Sequence, residues 1–330
     1  MAVTDEVLRI LEARRGETVS GEEAAAALGL SRAAVWKAVT ALRARGFDIE
    51  AGSNRGYALV SDGNRLHPET VRRHLGTREA LDLRVYDSVE GSTNDLVRRE
   101  AAAGAPEGLC VIADTQTGGK GRQGRAFLSP PGTGLYLSLL LRPKLPAEQA
   151  VGVTTAAAVA VCRAIEDLGG GPAEIKWVND VWVRGRKVCG ILTEAAVDME
   201  GGGLDYAVLG IGVNLFPPPE GFPGELAVSA GAVFPGKPAD DERSRLAAAI
   251  LDRFLPLYRA LPHRDWLPDY RARCLLTGRE VRFLQGGRER RGLVLGVDDE
   301  ARLLLRLPEG GETALASGEV QLIRPLEERA

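Results

Sequence analysis

Thr115-Gln116-Thr117-Gly118-Gly119-Lys120-Gly121-Arg122-Gln123-Gly124-Arg125 lies between two apolar runs, near 108–114 and 134–142, that read as strands. Four glycines let the backbone wrap closely around a ligand, and Lys120, Arg122 and Arg125 add three positive charges with no acid nearby in sequence. Such a loop is expected to be mobile when empty and to close on a phosphate-bearing ligand. It is not a phosphate loop of the Gly-x4-Gly-Lys-Ser/Thr kind, because Asp114 and Gly121 occupy the places where that motif needs Gly and Ser or Thr.

Around the loop the pattern is mixed. A strand near 82–87 precedes a helix from about Thr93, and a long Ala-rich helix spans about 147–168. Strand-like runs recur near 173–177, 181–183, 187–197 and 204–213, and helices cover roughly 240–261 and 264–275. Residues 216–238 are dense in Pro and Gly and read as an irregular surface loop. From Gly278 onward, short alternating runs suggest a small all-β barrel. The class is therefore α+β, with a central mixed sheet packed by helices.

The first 65 residues form a separate pattern. An amphipathic helix over 4–15 carries Val7, Leu8, Ile10 and Leu11 on one side. Ser20 and Ser31 are placed to cap two further helices, the last closed by Gly46. Ala25, Gly29 and Val35 have the spacing of a helix-turn-helix, and the alternation after Phe47 with a turn at 52–56 reads as a wing. No acid falls between Ala24 and Phe47, while Arg32, Lys37, Arg43 and Arg45 do, a local charge stripe suited to nucleic-acid phosphates. Ser31, Arg32 and Ala33, with Trp36 and Lys37 a turn later, would face a DNA groove. Residues 61–66 read as a linker, dividing the chain into 1–65, 66–276 and 277–330.

Composition narrows the chemistry. The net charge of -3 says nothing about partners, so any polyanion site must come from local pattern. No run of about 18 apolar residues spans a membrane and no leader is evident, so a cytoplasmic protein is expected. Cys110, Cys162, Cys189 and Cys274 are far apart in apolar segments, which suits buried thiols in a reducing compartment. His67, His74 and His263 lack ligand spacing. Chemistry should rest on Lys, Arg, Asp and backbone amides.

Three more segments bear on that chemistry. Lys176-Trp177-Val178-Asn179-Asp180 sets a cation and a carboxylate at a strand end. In Arg186-Lys187-Val188-Cys189-Gly190-Ile191-Leu192-Thr193-Glu194, Lys187 begins an apolar strand, where a cation needs an anionic partner or a lowered pKa. Gly91-Ser92-Thr93-Asn94 offers hydroxyls and an amide at a helix start, suited to a small polar ligand head or to capping alone. Gly210-Ile211-Gly212-Val213-Asn214 is not a dinucleotide fingerprint, since Leu215 stands where a third Gly belongs.

Taken in order, Ser-Thr-Asn, Gly-Lys-Gly-Arg-x-Gly-Arg, Lys-Trp-Val-Asn-Asp, Lys-Val-Cys-Gly-Ile-Leu-x-Glu and Gly-Ile-Gly-Val-Asn resemble the biotin–protein ligase family over nearly the whole chain. The head makes it similar to the bifunctional ligase and biotin-operon-repressor type. Two departures stand out: Lys120 replaces the family's Arg, which keeps charge but loses bidentate geometry, and Val178 replaces Pro. The resemblance implies a class II synthetase-like ligase fold, an SH3-like C-terminal barrel, and an ATP-dependent, AMP-forming enzyme. It would join biotin to ATP with Mg²⁺ as biotinyl-5′-AMP, then pass the biotinyl group to a lysine of a biotin carboxyl carrier domain. A ligand-ordered loop would favour a homodimer that presents two heads to operator DNA.

Residue roles follow only from that resemblance. Ser92, Thr93 and Gln116 would hold the biotin ureido ring, and Asn94 would also bind biotin. Lys120, Gly121 and Arg122 would close over the adenylate, and Lys187 would bind the biotin carboxylate and then the acyl-phosphate oxygens. Arg125, Lys176 and Asn179 would serve the nucleotide, with Phe127 and Asn214 at the adenine. Asp180 would assist Mg²⁺ or ATP, so Lys187, Arg122 and Asp180 form the expected catalytic set. Two rivals are a lipoate or octanoate ligase and a non-catalytic biotin-sensing transcription factor.

Overall fold

The computed structural model describes residues 3–52, 56–77, 79–197, 203–237 and 240–323. Helices α1 (Val3–Ala13), α2 (Gly21–Leu28) and α3 (Arg32–Ala44) pack with the hairpin β1 (Asp48–Gly52) and β2 (Gly56–Ser61). Ser20 Oγ accepts from Glu23 N and Ser31 Oγ from Ala34 N, so both expected caps form. Gly29 closes α2 with φ 64°, a left-handed turn that a glycine reaches without steric cost. Val7, Leu8, Leu11, Val35, Leu42 and Leu59 fill the core of this head. The tip of the expected wing, 53–55, lies outside the described residues.

The central sheet has seven strands. In chain order these are β3 (Asp82–Tyr86), β4 (Leu109–Ala113), β5 (Gly134–Leu141), β6 (Ala173–Lys176), β7 (Asp180–Val183), β8 (Arg186–Val197) and β9 (Leu204–Asn214). Their spatial order is β3-β4-β5-β9-β8-β7-β6. Only the β3–β4 pair is parallel, so the sheet is mixed, as the pattern predicts. β5 is buried along its whole length, which is why its sequence is nearly unbroken apolar rather than alternating. Helix α4 (Pro68–His74) precedes β3 and α5 (Thr93–Ala102) follows it. Helix α6 (Val151–Asp167) lies against α8 (Glu242–Arg259), with the single turn α7 (Leu226–Ser229) before α8 and α9 (Leu267–Ala272) after it. The C-terminal strands β10 (Glu280–Gln285), β11 (Arg288–Val297), β12 (Leu303–Arg306), β13 (Glu312–Leu315) and β14 (Val320–Leu322) form an antiparallel sheet in the order β13-β12-β11-β10-β14. Among the described residues its two outer strands are not paired with each other.

One element was not foreseen and one expectation needs correction. Helix α4 is not evident in the hydrophobic period: at seven residues it is too short for one, and its start depends on His67 Nδ1 accepting from Glu69 N. The segment 61–66 is not a free linker. Asp62 is fully buried, Asn64 Nδ2 donates to Gly132 O at 3.0 Å, and Ser61 Oγ bonds Asp240 at 2.6 Å. Arg15 reaches the same Asp240 at 2.9 Å, while Arg73 pairs with Glu12 and Asp241. Head and central unit are thus joined through charges contributed from both sides.

Burial, followed by the neighbouring charge of Asp240, pushes the Asp62 carboxyl up to about 8. A carboxyl raised on folding contributes stability below its unfolded pKa and loses it as pH climbs through the folded value, because the unfolded chain ionises first. Asp62→Asn keeps an oxygen to accept from Asn64 N, the bond Asp62 makes at 3.1 Å. The variant should match the parent near about pH 5 and exceed it by about 1 kcal/mol or more near pH 9, read from denaturant midpoints at the two pH values.

Candidate functional site

The Gly-rich loop leaves β4 at Asp114 and returns to β5. Its base is closed on itself: Gly121 N donates to Arg125 O at 2.7 Å, and Phe127 N to Gly119 O at 2.8 Å. A single 3-10 turn covers Arg122–Gly124, with Gln123 left-handed at φ 56°. Gly119 has no room for a side chain, because an added Cβ would stand 2.6 Å from Ser129 Oγ and collide with the Phe127 carbonyl.

Each cation of the loop has a partner that is distant in sequence. Lys120 Nζ pairs with Asp95 at 2.6 Å, Arg125 with Glu319 at 2.5 Å, and Arg122 donates to Asn179 Oδ1 at 3.1 Å. The loop has no acid nearby in sequence, yet the fold brings one to it from α5 and another from Glu319, just before β14. Burial works against an ionised Asp95, yet hydrogen bonds from Lys120 and Ser92 hold its carboxyl below the usual range. The Arg125 guanidinium does the same for Glu319.

Beside the loop lie two adjoining cavities. The smaller, about 30 Å³, is bordered by Ser92, Thr93, Asn94, Gln116 and Lys120. Gln116 Oε1 accepts from Thr93 N at 2.7 Å and from Thr93 Oγ1 at 3.1 Å, and its Nε2 donates to Ser129 Oγ at 2.8 Å. Ser138 Oγ donates to Asn94 Oδ1 at 2.6 Å, and Asn94 Nδ2 donates to Glu194 at 2.8 Å. Ser92 Oγ caps α5 by accepting from Asp95 N, and the same residue lines the small cavity, so capping and lining coexist at one position.

The larger cavity, about 370 Å³, is lined by Arg122, Arg125, Lys176, Asn179, Asp180, Lys187 and Asn214, with Trp182 and Phe222 as apolar walls. Lys187 does not enter a closed core: it is about one-third exposed and pairs with Asp180 at 2.8 Å. Lys176 lies over the Trp182 ring at 5.6 Å, and burial pulls its ammonium below the ordinary lysine value despite the charge of Asp180. Asn179 is held by its Nδ2 donating to Ile191 O, and Asn214 by its Nδ2 donating to Gly231 O at 3.2 Å. The Trp177–Val178 peptide is cis.

Glycines missed as functional cut the wall between the cavities. Phe127, Lys120, Gly190 and Leu192 border both. The Phe127 ring rests on Gly212, where a Cβ would stand 2.7 Å away, and on Gly190, which also carries the Lys187 chain. Gly210 gives its space to the Asn94 amide. Alternation puts Gly210 and Gly212 on one face of β9, a signal already carried by the strand-like run 204–213.

The head presents a second surface. Arg32, Ala33, Trp36 and Lys37 are exposed on one side of α3, and Trp36 is 57% exposed although it is the largest apolar side chain there. Ser31 is exposed while capping α3. Arg43 is not free for phosphates, since its Nε donates to Ile49 O at 2.7 Å and so braces the wing strand. Among the described residues no helix is long and apolar enough to cross a membrane, and no cluster of three His, Cys, Asp or Glu could hold a metal.

Comparison with known proteins gives one family throughout. Residues 87–214 match the Biotin/lipoate A/B protein ligase family, 4–58 an HTH domain, and 276–323 the Biotin protein ligase C terminal domain. The chain is 34% identical over 310 residues to the bifunctional ligase/repressor BirA of Bacillus subtilis, covering 92% of this chain and 94% of that protein. It is 36% identical over 283 residues to the biotin–[acetyl-CoA-carboxylase] ligase of Mycobacterium tuberculosis, covering 80% of this chain and all of that protein. A solved biotin protein ligase from Aquifex aeolicus, in complex with biotin and ATP, superposes with a TM-score of 0.61 at 28% identity, over 74% of this chain and 99% of that one.

The glycine argument is testable without any ligand. Gly210→Ala drives a methyl into the buried Asn94 amide, which bonds Ser138 and Glu194, and should cost roughly 2 kcal/mol in urea unfolding. Gly203→Ala, whose Cβ would meet only ordinary contact at 3.5 Å, should be near neutral. Equal effects would remove the special role of Gly210.

Proposed function

The chain belongs to the biotin–protein ligase family, and from that membership we propose that it activates biotin with ATP and transfers the biotinyl group to one lysine of a carboxyl carrier domain. The same chain is proposed to repress transcription through its helix-turn-helix head. The observation that carries the reading is the pair of adjoining cavities: one small and bordered by hydroxyl and amide side chains together with Lys120, one large and lined by the five cations Lys120, Arg122, Arg125, Lys176 and Lys187, with Lys187 and Phe127 meeting over Gly190 between them.

The chemistry needs that division. A carboxylate is a poor electrophile; attack of its oxygen on the α-phosphorus of ATP, with loss of pyrophosphate, converts it to a mixed anhydride. Both reactants are anions, so the residues that surround them must supply positive charge where it accumulates in the transition state. Ser92, Thr93, Asn94 and Gln116 offer both donors and acceptors for a cyclic urea. Lys120, Gly121 and Arg122 close over the adenylate, while Arg125, Lys176 and Asn179 face the phosphates. Lys187 serves the carboxylate first and the acyl-phosphate oxygens afterwards, and Asn214 and Phe127 take the adenine. The acceptor amine then attacks the acyl carbon, and AMP leaves.

Mg²⁺ is the implied metal. Such an ion would take one or two carboxylates together with phosphate oxygens and water, and Asp180, which lines the large cavity, would serve as one of them. Mg²⁺ would neutralise phosphate charge there. Asp180 would have to release Lys187, which frees the ammonium for the substrate carboxylate.

We further propose that the adenylate favours a homodimer, placing two heads on a two-fold operator. Sedimentation of the protein with and without biotin plus ATP reads this directly; unchanged self-association and unchanged DNA affinity would end the regulatory half of the proposal.

ATP–pyrophosphate exchange tests the catalytic half. Biotin should drive it and lipoate should not; exchange with lipoate alone would replace the substrate, and none with either would favour a pure sensor. Lys187→Met should lower the biotin-driven rate by about 10²- to 10³-fold with little change in melting temperature. In the head, Arg32→Ala with Lys37→Ala should weaken duplex DNA binding at every sequence and flatten its salt dependence by up to about two counterions.

A further inference from the structure

β7 and β8 are joined by a two-residue turn, Arg184-Gly185, with φ 50° and 73°. Positive φ at both central residues belongs to the mirror-type hairpin turn, whose first place favours Asn, Asp or Gly. Arg184 holds a left-handed conformation that a residue with a Cβ and a long side chain disfavours. Its side chain accounts for it. Nη1 donates to Gly170 O at 3.1 Å, and Nη2 donates to Ala232 O at 3.2 Å and Val233 O at 2.6 Å.

Those last two carbonyls belong to the segment that walls the large cavity. Leu226, Ser229 and Ala230 line it, Gly231 N donates to Lys187 O at 2.8 Å, and Gly231 O accepts from Asn214 Nδ2 at 3.2 Å. The small cavity has no residue from this segment. One guanidinium therefore reaches the outside of a stretch whose inside meets both Lys187 and Asn214.

We propose that Arg184 is a positioning residue for the nucleotide half of the site: it fixes 230–233 against β8 and thereby sets the place of Asn214 and of the Ala230 wall. The inference rests on the ligase reading for the identity of the nucleotide, and on geometry alone for the tether. Arg184 is itself exposed, so its replacement opens no cavity in the core.

Arg184→Asn separates tether from turn, since Asn suits the left-handed place but is too short to reach the carbonyls. The expected result is a five- to tenfold rise in the KM for ATP in biotin-driven exchange. The KM for biotin at saturating ATP should stay within twofold, and the melting temperature should be equal or higher. Arg184→Lys, which keeps a donor of similar reach, should recover part of the ATP effect. Calorimetric titration with ATP alone reads the same change, so an acid substrate other than biotin would leave this test standing. An unchanged ATP affinity in Arg184→Asn, or an equal loss of ATP and biotin affinity with a lowered melting temperature in both variants, would overturn the proposal.

Discussion

One buried guanidinium holds together the parts that the site depends on. Arg243, at the start of α8, is 2% exposed. It pairs with Asp114 at the foot of the Gly-rich loop, donates to Asn64 Oδ1 at 3.1 Å and to Asn64 O in the segment from the head, and reaches Gly134 O at the start of β5. Asp114 in turn accepts from Gly132 N at 3.1 Å, just before the loop ends. A charge out of water costs several kcal/mol unless its donors are met, so these acceptors are not interchangeable with solvent. The two ends of the loop, the junction with the head and the first turn of α8 are consequently fixed by the same ion.

Above that frame, the cations of the site are balanced by acids of the same chain. Their charges are shared among Asp95, Asp180 and Glu319, all of them partly exposed. Exposed pairs of this kind are worth about 0–1 kcal/mol each, so phosphate or carboxylate oxygens can replace them at small cost. The buried pair at Arg243 cannot be exchanged in that way. The protein thus places its permanent ion pair at the base of the loop and its replaceable ones along the loop's working edge.

Local features were legible because they depend on neighbours in the chain. Ser20 and Ser31 announce their helices by side chains that cap three residues ahead, and β5 by an apolar run long enough for a strand covered on both faces. The residue types around the two cavities were also legible, since their motifs recur in one order. What was hidden is long-range. Lys120 and Asp95 are 25 residues apart, Arg125 and Glu319 194 apart, and nothing in either segment states that they meet. The burial of Asp62 was hidden for the same reason: a Gly-containing polar stretch reads as solvated unless the acids and arginines that enclose it are known.

The glycines of β9 give the geometry its chemical consequence. Because Gly210 and Gly212 share one face, a single strand receives Asn94 of the small cavity at one residue and Phe127 of the dividing wall two residues later, about 7 Å along. The next residue on that face, Asn214, already borders the large cavity. One strand, hydrogen-bonded on both sides by β5 and β8, therefore spans from the small cavity to the large one. Under the proposed function, two anions held to such a ruler would approach each other at a distance set by backbone rise rather than by loop motion. Converting their encounter into an intramolecular one is where the largest rate gain is available, and it needs no residue to move except those whose ion pairs are cheap to exchange.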